Sequence, residues 1–434
     1  MSARQDALQI FQAAVKAVQP SYLLPQHIKL EEQQLTILGD EITLKETNNL
    51  YVIGAGKAAA AMAVETEKIL GTHIKDGIVT TKYHHSLPTN HIKIIESAHP
   101  VPDDNCDLAV RETINLLRNT TENDVIICLI SGGASSLWCD VPSGLIMPDL
   151  QQTFDLLLKS GAEIQEMNTV RKHLSQIKGG QLLRHTKSKV YSLIISDVVG
   201  DDISAIASGP TVPDPSTFAD AKAILSKYRL IDKVPEGIIN HIGKGIDGEI
   251  SETLKADDSL FNNSKSKIIG NNQVALDAAK AMAKDLGYYV EENCELITGD
   301  AVEEAAKLME KAKNYNSAKP ACLLQGGETT VMITGQGKGG RNQHFALSAL
   351  KQFSEATIHI TILSGGTDGT DGPTDATGAV VEISSLQKAE DQKLDINKYH
   401  RNQDAYNFFK QTDDLIITGP TQTNVMDVMF ALIQ

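Results

Sequence analysis

In Gly54-Ala55-Gly56-Lys57 an apolar run ends in two glycines, and an alanine-rich stretch begins at once. Glycines let a ligand approach backbone N–H groups, and the amino end of a helix favours anions. Lys57 adds a point charge in the first turn, where it opposes the helix dipole. That makes a merely solvated lysine the less comfortable reading. No GxxxxGK[ST] motif is present, and Ala59 stands where the third glycine of GxGxxG would be. Ser131-Gly132-Gly133-Ala134-Ser135-Ser136 offers two glycines and three hydroxyls. It reads as a cradle for phosphate or carboxylate, or as plain capping. The GxSxG motif of a nucleophilic serine is absent. Asp197 directly follows an apolar run, where a carboxylate suits Mg²⁺ binding or a general base. Asp201 and Asp202 read as turn residues.

Three further segments carry charge among glycines. In Asn168–Gly180, helical spacing puts Val170, Leu174 and Ile177 on one face and Arg171 and Lys178 on another. A solvated basic face is the common outcome of such spacing. Gln325-Gly-Gly-Glu328 leads into Gly335, Gly337 and Gly340, which literally satisfy GxGxxG, and then into Arg341. Lys338 and Arg341 suit a grip on carboxylate or phosphate better than a dinucleotide. The first acid after the next strand, Asp368, also lies further on than the roughly 20 residues expected for a ribose contact. Asp368, Asp371 and Asp375, spaced three and four apart among Gly and Thr, read as stacked Asx-turns or as a rim for metal-nucleotide or hydroxyl recognition.

The elements that must position these residues follow a pattern. Leu50–Ile53, Gly77–Thr80, Ile92–Glu96, Val125–Ile130, Val190–Ser196 and Lys267–Gly270 read as strands alternating with helices. Several lack polar alternation, as strands covered on both faces do. This predicts an α/β fold with a Rossmann-like, doubly wound parallel sheet. If the order is 3-2-1-4-5-6, the crevice lies beyond the carboxyl ends of strands one and four. Those ends carry Gly54–Lys57 and Ser131–Ser136. Past the helical run Ala275–Leu286 the texture changes. Tyr288–Glu291, Ala321–Leu324, Thr330–Ile333, His359–Leu363 and Ala379–Glu382 read as strands of a second, mixed α/β domain, with a helix over Ala301–Ala312. The expected division is 1–287 and 288–434. Segment 231–265 is poorly patterned, helical or loop. The first 18 residues place Leu8, Phe11, Ala14, Val15 and Val18 on one face, which predicts a folded helix rather than a transit peptide.

The 434 residues hold 40 Lys+Arg against 55 Asp+Glu, a net charge of -15, which argues against nucleic-acid and anionic-membrane binding. A local pocket can oppose that sign and take small anions. No apolar run approaches the roughly 20 residues that span a bilayer. The five cysteines (106, 128, 139, 294 and 322) are odd in number and lack metal-ligand spacing, so a disulfide framework and a structural zinc are not expected. A reducing, cytoplasmic compartment fits.

The ordered set VIGAGKAA (52–59), SAHPVPD (97–103), LISGGASSL (129–137), NTVRKHLSQIKGGQL (168–182), SDVVGDDISAIASGPTVPDPSTF (196–218), GGET (326–329), GKGGRNQ (337–343), SGGTDGTDGPTDATGA (364–379) and GPTQTNVMDV (419–428) resembles the class II glycerate kinase (glycerate 2-kinase) family, whose members end in a MOFRL domain. The resemblance covers nearly the whole chain. It implies a kinase that uses ATP and Mg²⁺ to convert D-glycerate to 2-phosphoglycerate, with a MOFRL-like second domain. Lys57 and Arg341, one from each domain, are then the cations that neutralise the transferring phosphoryl group. Alanine at either is expected to cut turnover and leave the fold intact. Asp197 is expected to bind the metal or orient the 2-hydroxyl. Gly54, Gly56, Ser131, Gly132, Gly133, Ser135, Ser136, Glu328, Gly340 and Asp368 complete the expected binding set, loop 131–136 taking a phosphate or the glycerate carboxylate. Trp138 and Cys139 sit where the family varies and do not settle substrate preference. A homo-oligomer stays open. One rival is an NAD(P)H-dependent hydroxypyruvate reductase, a label often attached to this family and consistent with the literal GxGxxG. The other is a non-catalytic sugar-acid or nucleotide binding protein on the same scaffold, against which the density of glycine-rich loops with Lys, Arg and Asp argues.

Overall fold

A computed structural model describes residues 2–45, 48–291, 295–354, 357 and 359–434. Cys294 lies outside the described residues, and the other four cysteines are buried and free. The chain forms two compact units, Leu23–Ile269 and Met1–Tyr22 with Gly270–Gln434.

The Leu23–Ile269 unit opens with a small antiparallel meander, β1 (Ile28–Glu31), β2 (Gln34–Ile37) and β3 (Asp40–Thr43). Its main sheet has six strands: β4 (Leu50–Ala55), β5 (Ile74–Lys82), β6 (Ile92–Ser97), β7 (Val125–Ile130), β8 (Lys189–Ile195) and β9 (Ser264–Gly270). They are the six strands expected from the sequence. The order β6-β5-β4-β7-β8-β9 is the 3-2-1-4-5-6 arrangement when counted within the sheet. The pairings β4–β5, β5–β6, β4–β7 and β7–β8 are parallel. Every residue of β7 is buried, as a strand covered on both faces must be. The chain reverses its direction of winding between β4 and β7, so their carboxyl ends flank a crevice. A second core is helical: Leu150, Leu157, Met167, Val170, Phe218, Leu225, Ile238 and Ile242 cluster apart from the sheet. Ile238 and Ile242 come from the helix Glu236–Ile246, which orders part of the poorly patterned segment 231–265.

The other unit carries β10 (Tyr289–Val290), β11 (Glu295–Asp300), β12 (Ala321–Thr330), β13 (Ile360–Gly366), β14 (Gly378–Val381), β15 (Leu415–Ile416) and β16 (Asp427–Ile433). The order is β10-β12-β16-β13-β14-β15, with β11 also on β12. The sheet is mixed: β16 is antiparallel to both β12 and β13, whereas β10 and β11 run parallel to β12. The expected strand at Thr330–Ile333 is absent. β12 runs unbroken through Gln325-Gly-Gly-Glu328, and 331–333 is loop.

The division differs from the expected one at residue 287, and the first helix changes sides. Ser2 and Gln5 form a capping box that starts helix Ala3–Ala17. This helix packs within the C-terminal unit: Arg4 pairs with Asp414 at 2.7 Å, and the Tyr288 hydroxyl donates to Asp6 at 2.9 Å. A side chain on Gly365 would meet the Phe11 ring at 2.8 Å. Helix Asn272–Asp285 joins the same unit, the Asn272 amide donating to the carbonyls of Val425 and Asp427. Amphipathic spacing shows that a helix buries one face; it does not show which sheet receives it.

Candidate active site

The parallel sheet delivers its motif residues to one edge. Lys57 follows β4, and its N–H donates to the Gly132 carbonyl at 2.9 Å. The Ser131 hydroxyl accepts the Ala58 N–H at 3.0 Å, which satisfies a donor at the start of helix Ala59–Leu70 and occupies that serine. Gly54 and Gly56 serve packing against β7 and its loop: a Cβ on Gly54 would sit 2.1 Å from the Leu129 carbonyl oxygen, and one on Gly56 2.1 Å from Ser131 Oγ. The glycine pair at 132–133 serves the crevice. A Cβ on Gly132 would lie 1.9 Å from Asp197 Oδ2, and one on Gly133 (φ +82°) would lie 3.2 Å from both His99 Nε2 and Lys57 Cγ. Lys57, His99 and Asp197 therefore close around one bare stretch of backbone. The Lys57 ammonium has no carboxylate partner among the described residues. Burial, then Lys57 and Lys82, push the His99 imidazole down to about 4, so the ring is neutral at physiological pH.

The serine loop is braced from behind. Lys178, buried, donates from Nζ to the Ser135 and Trp138 carbonyls at 3.0 Å each. Burial lowers its pKa, and two of its three donors are spent on the loop. The expected helical face shared by Arg171 and Lys178 is not formed, because the helix ends at Lys172 and Gly179 and Gly180 adopt positive φ beyond it. Ser135 Oγ lies 3.4 Å from Ser208 Oγ, Ser208 donates to Asn168 at 3.1 Å, and Arg171 donates to the same Asn168 oxygen at 3.3 Å. Asp202 accepts the Ser204 N–H at 2.9 Å, the turn role expected of it.

In the other unit Arg341 opens the helix Arg341–Leu350. Asp427, at the start of β16 and fully buried, takes its Nε at 2.6 Å and a terminal nitrogen at 2.9 Å. Glu328 holds the other terminal nitrogen at 2.9 Å. These carboxylates raise the arginine's pKa against its burial. Asp371 caps the same helix, accepting the Asn342 and Gln343 N–H groups at 3.1 and 2.8 Å. Burial, with Asp427 adding to it, raises Asp371 to about 7 against those N–H groups and Arg341. Beside them lies a cavity of about 460 Å³ lined by Glu328, Val331, Ile333, Gly340, Arg341, His344 and Gln403, among others. Asp368 closes a turn on Thr370 N–H at 3.1 Å. A Cβ on Gly366 would lie 3.4 Å from Asp368 Oδ1 and 3.3 Å from Asp427 Oδ1, so Asp368 adjoins the arginine's partner.

The glycines of the literal GxGxxG are filled from within. A Cβ on Gly335 or Gly337 would lie 2.2 or 2.5 Å from the Asn402 carbonyl oxygen, and one on Gly340 2.3 Å from Asp371 Oδ1. The loop hangs on residues 402–404 through Gly337 N–H to Asn402, Lys338 N–H to Asp404 and Gly335 N–H to Gln403. Those glycines make room for protein rather than for a pyrophosphate, which removes the physical basis of the dinucleotide reading.

The structure thus gathers Gly54, Gly56, Lys57, Ser131, Gly132, Gly133, Ser135, Ser136 and Asp197 at one sheet edge, and Glu328, Gly340, Arg341 and Asp368 around one cluster in the other unit. Sequence reasoning gave no role to His99 or Asp427, and it read Asp371 as an Asx-turn or recognition-rim residue rather than as the cap of the Arg341 helix. The lone acid opening the apolar run VMFALI was the available signal for Asp427. A roomier cavity, about 650 Å³, involves Arg118, Arg184 and Lys187 at the amino ends of β7 and β8, and holds none of the motif residues. Among the described residues no three His, Cys, Asp or Glu side chains are grouped to hold a metal ion. Mg²⁺ needs no such cage: it is commonly held by one or two carboxylates together with substrate phosphates and water, a donor set that a single Asp197 fits.

Fold and site define a two-unit α/β protein with a glycine-lined crevice at the switch point of its parallel sheet. The sequence models of two families match: "Domain of unknown function (DUF4147)" over residues 6–243 and "MOFRL family" over 321–427. The chain is 40% identical to a glycerate 2-kinase of Pyrococcus horikoshii, covering 100% of this chain and 98% of that one. It is 39% identical to a D-glycerate 2-kinase of Thermotoga maritima (95% and 99%) and 38% identical to a putative hydroxypyruvate reductase of Agrobacterium vitis (100% and 95%). The crystal structure of a glycerate kinase from Thermotoga maritima superposes with a TM-score of 0.85 at 37% identity, over 99% of each chain. The chain belongs to the glycerate kinase family that joins a DUF4147 domain to a MOFRL domain.

Proposed function

We propose that this protein transfers the γ-phosphoryl group of ATP to the 2-hydroxyl of D-glycerate, forming 2-phosphoglycerate and ADP. The observation that carries the reading is the crevice at Gly132–Gly133. Lys57, which has no carboxylate partner among the described residues, and the Asp197 carboxylate face bare backbone there, in a chain related over its full length to glycerate 2-kinases. The hydroxyl oxygen bonds to the γ-phosphorus as the bond to the β–γ bridging oxygen breaks, and the hydroxyl proton ends in solvent. Such transfer needs positioning and neutralisation of charge spreading over phosphoryl oxygens more than covalent help. Lys57 supplies a mobile positive charge for this, and Arg341 is the second cation assigned to the reaction. Asp197 would hold Mg²⁺, which would supply positive charge to offset that of the phosphates. The 131–136 loop takes a phosphate or the glycerate carboxylate, with Ser136 as a hydroxyl donor.

Net charge argues against nucleic-acid partners, and no helix among the described residues is long and apolar enough to cross a membrane. The four described cysteines, all free thiols, support a reducing cytoplasmic setting. The decisive experiment incubates the protein with ATP, Mg²⁺ and D-glycerate and reads the product by phosphorus NMR. A 2-phosphoglycerate signal with matching ADP is expected. NADH oxidation with hydroxypyruvate and no ADP release would overturn the kinase reading in favour of the reductase.

A further inference from the structure

The His99 imidazole is half-buried on the loop after β6 and makes no hydrogen bond among the described residues. Its Nε2 would lie 3.2 Å from a Cβ on Gly133, the point that also neighbours Lys57 Cγ. A polar ring partly withdrawn from water and without a protein partner among the described residues leaves its acceptor available to a ligand. Lys57, after β4, and Lys82, at the end of β5, both disfavour its protonation. A ring so reluctant to take a proton is a poor general base at neutral pH. It remains a good hydrogen-bond acceptor.

We infer that His99 accepts the hydrogen bond of the attacking hydroxyl of glycerate and turns that oxygen's lone pair toward the phosphorus beside Lys57. The inference rests on the reading of the crevice given above and adds a substrate-touching residue to it. Glycerate has no ring or long chain by which to be held, so the direction of one hydroxyl decides how often it points at phosphorus.

The test compares His99→Ala, His99→Phe and His99→Gln with Lys57→Ala in steady-state assays at saturating Mg²⁺. His99→Ala is expected to lower kcat about 100-fold, with the KM for ATP changed less than about twofold. His99→Phe fills the same space without an acceptor, so it should match the alanine variant in activity and the wild type in Tm. His99→Gln, whose amide oxygen can accept, should regain about tenfold. A structural role predicts the opposite pattern, with Phe active and Gln offering no rescue. If the alanine and phenylalanine variants both keep kcat within about threefold while Lys57→Ala is inactive, the inference fails and the crevice reading stands. If Lys57→Ala is also near-normal, the crevice reading fails and takes the inference with it.

Discussion

Lys57 and Arg341 both stand where a glycine-rich loop meets the start of a helix, yet their surroundings differ. The Lys57 ammonium has no acidic partner among the described residues, and its charge bears on the neutral His99 ring. Arg341 is gripped by Asp427 and Glu328, with Asp371 beside it. One cation is left open to a ligand, while the other has been given most of its countercharge by the fold. A free charge beside bare backbone is what an incoming phosphate needs, because nothing must be displaced first. A bidentate arginine is rigid, and loses less entropy when it meets a further anion, but its net field is weak. Lys57 should therefore govern turnover, and Arg341 should govern the integrity of its unit as well.

The largest effect should come from Lys57→Ala. Removing the one uncompensated cation at the proposed phosphoryl site should lower kcat by about 10³-fold or more. The Tm should stay within a degree or two, because no ion pair is broken. Near-wild-type turnover would erase the contrast between the two cations.

Arg341→Ala should behave differently, and here the structure revises the expectation of an intact fold. The variant strands the fully buried Asp427 without its partner, a change that costs about 3–5 kcal/mol. Thermal unfolding should show the loss along with reduced activity. Adding Asp427→Asn should restore part of the stability by removing the stranded charge, but not the activity. A fully stable single variant would mean that the Arg341–Asp427 pair holds nothing together.

Gly132→Ala probes the crevice without touching charge. Its Cβ would fall 1.9 Å from Asp197 Oδ2, so the carboxylate must move. Turnover should fall about 10- to 100-fold, and the Mg²⁺ concentration for half-maximal rate should rise. An unchanged Mg²⁺ titration would take Asp197 out of the metal role.

The two regions were not equally legible in the sequence. The parallel sheet announces itself through short apolar runs punctuated by glycine, and its strand order follows from a common arrangement, so Lys57, Ser131 and Asp197 could be placed at one edge in advance. The Arg341 cluster depends on β16, whose apolar run VMFALI has no periodicity to separate strand from buried helix. The Arg341–Asp427 bond spans 86 residues, and nothing local in either segment encodes the partner. His99 escaped for a related reason: the significance of a lone histidine before a proline comes only from Gly133 and Lys57 arriving beside it. The glycine pattern at 335–340 shows the opposite failure, a motif that fits a ligand rule and is satisfied by Asn402 and Asp371.

The smallest effect concerns Asp371, and it separates the two regions by pH. Burial raises this carboxyl to about 7 from an ordinary value of 3.8, so between those values the folded protein holds a proton that the unfolded chain has released. Stability from this group is complete below about pH 4 and is lost as pH rises through 7. Asp371→Asn keeps an uncharged oxygen at the helix cap and removes the titration. Relative to that variant, the wild-type Tm should fall by a few degrees between pH 5 and pH 8, with the difference arising in the C-terminal unit. Lys57→Ala should leave that wild-type slope intact, because Lys57 and His99 do not contribute to Asp371's shift. A slope unchanged in Asp371→Asn would show that the carboxyl is ionised in place, with Arg341 outweighing burial. Arg341 would then carry three full negative charges around it, and its availability to substrate phosphate would be lower still.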